Sequence, residues 1–168
     1  MNSGQMMISI AALGLLTFTI LNFNRGTIST QDALIYNKEF IVATTVAQSI
    51  LDEISSKTYD EEIAIGSSIS SASDFSTTLA AESGETYPDY DDVDDYNNYT
   101  TSDTIPQMGV FNTSVTVTYM TDSFAETTAK TYNKNVTVEV TSPTLINFYT
   151  EVEDTLRISS LFSHWGIL

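Results

Sequence analysis

Three features of this chain predict an α+β fold, with a long N-terminal helix laid on a C-terminal antiparallel β-sheet. Residues 1–24 carry no charged side chain, and the run from Met6 to Phe23 is almost wholly apolar. From Leu34 to Ile54, apolar residues recur at spacings of three, four and seven, the spacing of one helical face. Beyond Met108 the period drops to two, as in strands with one face buried and one wet.

Taken in order, the first element is a stalk over residues 1–26. Its apolar run, at ~1.5 Å per residue, spans ~27 Å and approaches the thickness of a bilayer's hydrocarbon core. No Lys or Arg precedes that run, and Asn22-Phe-Asn-Arg-Gly26 offers no small-residue cleavage site, so it does not read as a removed signal peptide. Arg25, the one nearby cation, follows the run, so the charge bias does not set an orientation.

The second element is an amphipathic continuation over 27–58. Thr27-Ile-Ser-Thr30 supplies candidate N-cap oxygens, with Asp32 in the first turn. Leu34, Ile35, Ile41, Val42, Val46, Ile50, Leu51 and Ile54 make the apolar stripe, and Ser55-Ser-Lys57 ends the helix. A break near 22–26 that is only a kink leaves one helix across both segments.

The remainder, 59–168, is an acidic head. Its first part, 59–108, has no clear period and is expected to be an irregular surface excursion with short helical or strand pieces. The Tyr87–Tyr99 segment, rich in Asp and Tyr, is expected to face solvent. Its second part, 109–168, is expected to be a β-meander: Val115, Val117 and Tyr119 alternate with polar residues, as do Val136, Val138 and Val140, then Leu156 and Ile158. The natural partner for the sheet's apolar face is the helix stripe.

Composition narrows the function. The chain has 168 residues, 22 acids against six bases, and a formal charge of −16. That balance argues against nucleic acid and anionic lipid headgroups as partners. With no cysteine, disulfides and thiolate metal sites are excluded. A single histidine, His164, sits beside Trp165, and no glycine-rich phosphate loop is present, so the chain reads as non-enzymatic and without a cofactor. Asp89, Asp91, Asp92, Asp94 and Asp95 offer hard oxygens for calcium but lack EF-hand spacing; a solvated loop is the alternative. Asn98, Asn112 and Asn135 each begin an Asn-x-Ser/Thr triplet, the acceptor pattern for glycosylation.

The order of an apolar half-helix, an amphipathic half-helix and an antiparallel sheet resembles the type IV pilin and pseudopilin family. So do Gly14, the stretch Ala47-Gln-Ser-Ile-Leu-Asp-Glu-Ile-Ser-Ser-Lys-Thr-Tyr-Asp60, and Asp91-Asp-Val-Asp-Asp-Tyr96. Gln5 stands where that family usually has Glu, and Asn22-Phe-Asn24 replaces its usual proline.

The resemblance implies a pilin-like fold and a structural subunit of an extracellular helical filament, a homopolymer at the cell surface. Its core would hold Met1, Gln5, Met6, Met7, Ile8, Ile10, Leu13, Gly14, Leu15, Leu16, Phe18, Ile20, Leu21 and Phe23. It further implies a cytoplasmic-membrane precursor and a pilus assembly machinery as partners. A pseudopilin of a secretion system and a membrane-anchored acidic binding module are the alternatives.

Overall fold

The computed structural model describes residues 2–147, 150 and 152–165. Helix α1 runs unbroken from Ser3 to Ser55, 53 residues, or ~80 Å. No proline interrupts it; all three lie beyond residue 87. The candidate N-cap hydroxyls at 27–30 do something else. Thr27 Oγ1 donates to the Phe23 carbonyl and Thr30 Oγ1 to that of Gly26, each one turn back. Satisfied within the helix, they give it no reason to start again.

After α1 come a short helix α2 (Glu61–Ala64) and two 3-10 turns at Ala72–Asp74 and Asp94–Tyr96. Five strands follow: β1 (Thr100–Ile105), β2 (Gly109–Met120), β3 (Glu126–Thr127), β4 (Asn133–Ile146) and β5 (Glu153–Ser163). Strand β1 falls inside the stretch expected to be irregular, so the sheet begins earlier than the period-two pattern suggested. Its burial pattern explains why: most of its residues are exposed, so no apolar alternation marks it.

The sheet is antiparallel, in the order β1-β2-β4-β5. Tyr119 pairs with Lys134 of β4 and with Thr127 of β3, so β3 lies on the same edge of β2 as β1. In the β1–β2 turn, Gly109 has φ +96°, and a Cβ there would lie 3.2 Å from Thr144 Cγ2, so backbone conformation and crowding both call for glycine.

Alternation sorts the faces as the sequence indicates. Phe111, Val115, Val117 and Tyr119 point inward from β2, and Val136, Val138 and Val140 from β4. They meet Ala43, Ala47 and Ile54 of α1, all fully buried. Two alanines at the centre of the contact bring the helix backbone close to the sheet. At the upper edge, Tyr36 Oη donates to Asp154 Oδ2 at 2.8 Å.

The contact face differs from the expected stripe. Leu34, Ile35 and Ile41 are 63%, 56% and 64% exposed, while Glu39, Ala43, Ala47 and Ile54 are buried. Bulk and apolarity alone picked out the wrong residues near the start of the stripe, because the sheet seats on small side chains.

This assignment is directly measurable. Ile54→Ala removes buried methyl groups and is expected to cost ~2–5 kcal/mol. Ile41→Ala, on the uncovered side, is expected to stay within ~0.5 kcal/mol of wild type. Thermal melting of both variants of the full-length protein in detergent checks the pair; equal losses would contradict the orientation of the helix.

Candidate functional site

Two parts of the chain are built unlike an ordinary domain: the bare half of α1, and an acidic knot at the other end of the helix.

The bare half is long, apolar and uncovered. Its most apolar 18-residue stretch has a mean hydropathy of 2.0 and is not buried anywhere against the rest of the chain. This one helix is long and apolar enough to cross a membrane. Met6, Met7, Ile8, Ile10, Leu13, Leu15, Leu16, Phe18, Ile20, Leu21 and Phe23 are all exposed. Gln5 and Gly14 are exposed on the same rod, with nothing within 4 Å of a Cβ built on Gly14. Met1, expected in the same set, lies outside the described residues. Ile8, Ala11, Ala12, Leu15, Leu16 and Thr19 line a shallow groove along one side. Three hydroxyls in this half are turned inward: Ser9, Thr17 and Thr19 donate to the carbonyls of Gln5, Leu13 and Leu15. Hydroxyls bonded back onto the helix in this way suit an apolar surrounding.

The acidic knot overturns the expectation of a solvated loop. Asp89 and Asp91 are exposed, but Asp92, Asp94 and Asp95 are only 1%, 1% and 2% exposed. Burial is possible because the segment folds onto its own backbone. Asp92 Oδ1 accepts the N–H groups of Asp94 and Asp95, and Asp95 Oδ2 accepts those of Asp91 and Asp92. The turn is then stitched to the end of α1: Thr58 N–H donates to the Asp91 carbonyl and Val93 N–H to that of Thr58, both at 3.0 Å. Tyr96 Oη donates to Glu53 Oε1 at 2.8 Å.

Lys134 supplies the charge. It stands in β4 in phase with Val136, Val138 and Val140, and is fully buried. Its ammonium donates to the Tyr59 carbonyl (2.7 Å), to Asp60 Oδ2 (2.8 Å) and to Asp94 Oδ1. It also lies 4.4 Å from the centre of the Tyr59 ring. Asp60 caps α2 through Glu62 N–H and accepts from both the N–H and the hydroxyl of Ser76. One ammonium thus joins the helix end, the acidic turn and the sheet. Burial raises the Asp94 carboxyl despite the opposing pull of Lys134. Burial, followed by the charge of Asp94, pushes Asp92 up to about 9. Desolvation first, then neighbouring charges, raises the Tyr59 and Tyr119 hydroxyls.

Lys134 and Asp60 were not singled out from the sequence. The signal was present in the register, since Lys134 occupies an inward position of its strand. An inward lysine in an acid-rich chain implies buried carboxylates. Of the glycosylation candidates, Asn98 and Asn112 are exposed and Asn135 is half-buried. Asn98 has φ +67° at the start of β1, and Asn112 accepts a hydrogen bond from Ser102. His164 packs among Tyr59, Phe75 and Tyr132, with ring centres 5.6–6.5 Å away.

No protein-family model, curated protein or solved structure matches this chain.

The knot makes a sharp stability prediction. Lys134→Met leaves Asp60 and Asp94 buried without their cation and is expected to cost about 3–5 kcal/mol. Asp103→Asn, on the exposed face of β1, is expected to change little. Urea unfolding of the two full-length variants checks this; a wild-type midpoint for Lys134→Met would contradict the ion pairing.

Proposed function

We propose that this chain is a structural subunit of an extracellular helical filament of the type IV pilus kind. The observation that carries the reading is the single unbroken helix with one half covered by its own sheet and the other half bare. The bare half exposes apolar side chains all round, so no single contact with one flat partner surface would cover it. A membrane covers it before assembly, and copies of the same stalk cover it in a polymer. Leaving lipid for a helical bundle loses little apolar burial, so close packing decides the register. The groove at Ala11 and Ala12 is where neighbouring helices approach most closely. Gln5 enters such a core able to hydrogen-bond but unable to neutralise a charge. The acidic head, with 18 acids against three bases from Tyr59 onward, stays outside in water and keeps assembled filaments from sticking together.

Leu15→Asp or Ile20→Lys is expected to abolish fibres while the head still folds. An unpaired charge in an apolar bundle costs several kcal/mol at every copy. Negative-stain microscopy of native material, together with the circular dichroism of the variant proteins, reads both outcomes. Normal fibres from either variant would reject the filament reading. A detergent-soluble monomer from the wild type, never forming fibres, would favour the membrane-anchored module instead.

A further inference from the structure

Beside the Lys134 knot, the acidic turn meets two other segments in a cluster of carboxylates that the ion pairing leaves unused. One carboxylate oxygen each from Glu82, Glu85 and Asp95 lies within 4.8 Å of the others, and the same holds for Glu61, Asp91 and Asp92. The turn in which Glu85 N–H donates to the Glu82 carbonyl brings the first two together.

Proximity of acids alone would mean little. What singles out these two groups is the state of their buried members. Asp95 Oδ2 is taken by two backbone N–H groups, whereas Asp95 Oδ1 is buried and accepts no hydrogen bond. Asp92 is held in the same way, with Oδ1 accepting two N–H groups and Oδ2 buried, its carboxyl lying against that of Asp94. Glu82 Oε2 is likewise buried, and the Glu82 carboxyl lies against that of Glu85. Each aspartate is therefore clamped by one oxygen, while the other is buried without a donor. A desolvated carboxylate oxygen with no donor is costly, and more so beside others of its kind.

The protein's own cations do not relieve this. All three ammonium protons of Lys134 are committed to Tyr59, Asp60 and Asp94. The Lys57 ammonium donates to the Tyr90 carbonyl.

We propose that this cluster is a calcium site, with Asp95, Glu82 and Glu85 as the central ligands and Glu61, Asp91 and Asp92 adjoining them. Calcium takes oxygens at about 2.3–2.6 Å, so ligand atoms on opposite sides of one ion stand roughly 4.6–5.2 Å apart. The spacing within each triplet fits inside that limit. The donor set is all carboxylate, with neither His nor Cys, which suits a hard cation. Its irregular crowding suits calcium better than magnesium, which demands an octahedron and keeps its waters. Bound there, the ion ties the 82–85 turn to the 91–96 turn and completes the anchoring of the head's least regular segment. This site is independent of the filament reading; either one can fail alone.

The test uses the full-length protein in detergent, stripped with a chelator, and terbium as a luminescent calcium substitute. Tyr87, Tyr90, Tyr96 and Tyr99 pack ring against ring next to Asp95 and serve as sensitisers. The expected result is a saturable terbium signal displaced by calcium, with calcium raising the thermal midpoint by several degrees and magnesium at equal concentration raising it far less. Glu82→Gln combined with Glu85→Gln, at partly exposed positions, is expected to weaken calcium displacement about tenfold or more, and Asp103→Asn to leave it unchanged. A wild-type protein with no saturable, calcium-displaceable signal overturns the proposal. So does a folded double variant with wild-type affinity. If the double variant does not fold, the wild-type titration alone decides.

Discussion

One helix in this chain is covered by the sheet along one half and bare along the other, and the rest of the structure follows from that division. Nothing along Ser3–Ser55 stops the helix, since proline is absent and the Thr27 and Thr30 hydroxyls are turned back onto its own carbonyls. The division between the two halves is therefore made by the sheet, which covers the helix from about Tyr36 onward and leaves the earlier turns bare. Ala43 and Ala47 let the two layers approach, and the valines of β2 and β4 fill the space between.

A sheet resting on one helix face has a weak point where the helix ends, because the chain must leave the helix and cross back to the strands. Here that crossing is held by charge. Lys134 draws the Tyr59 carbonyl, Asp60 and Asp94 to one point, and the aspartate turn closes on its own backbone around it. Such a buried ion group adds little net energy compared with a well-packed apolar one. Its effect is geometric: three segments distant in sequence can meet in one way only.

How much of this was legible beforehand depended on what each signal depends on. The helix and the inner strands follow from periodicity, a local property, so Val115–Tyr119, Val136–Val140 and the alternation at Leu156 read correctly. The end of the helix at Ser55 did as well. The continuation of one helix across 22–30 read correctly, but the cap role offered to Thr27 and Thr30 did not hold, because threonine hydroxyls cap helices and also bond within them, and only the backbone conformation tells which. Strand β1 was hidden because an edge strand with little burial carries no alternation. Leu34, Ile35 and Ile41 drew attention by size, while the sheet selected alanines. The acidic turn was misjudged for a similar reason. Burial of Asp92, Asp94 and Asp95 depends on backbone N–H groups and on a lysine 40 residues downstream of Asp94, and neither leaves a local trace.

We propose that the bare half of the helix is covered by other copies of itself. The chain has no cysteine, so two can be introduced without interference. A full-length Ile8→Cys, Leu15→Cys protein, treated in its native assembly with a thiol-reactive cross-linker of about 10 Å reach, reads the neighbourhood of each stalk. A ladder of covalent multimers extending well past the dimer is expected. Monomer alone, from protein shown to be reactive at both cysteines once unfolded, would contradict it.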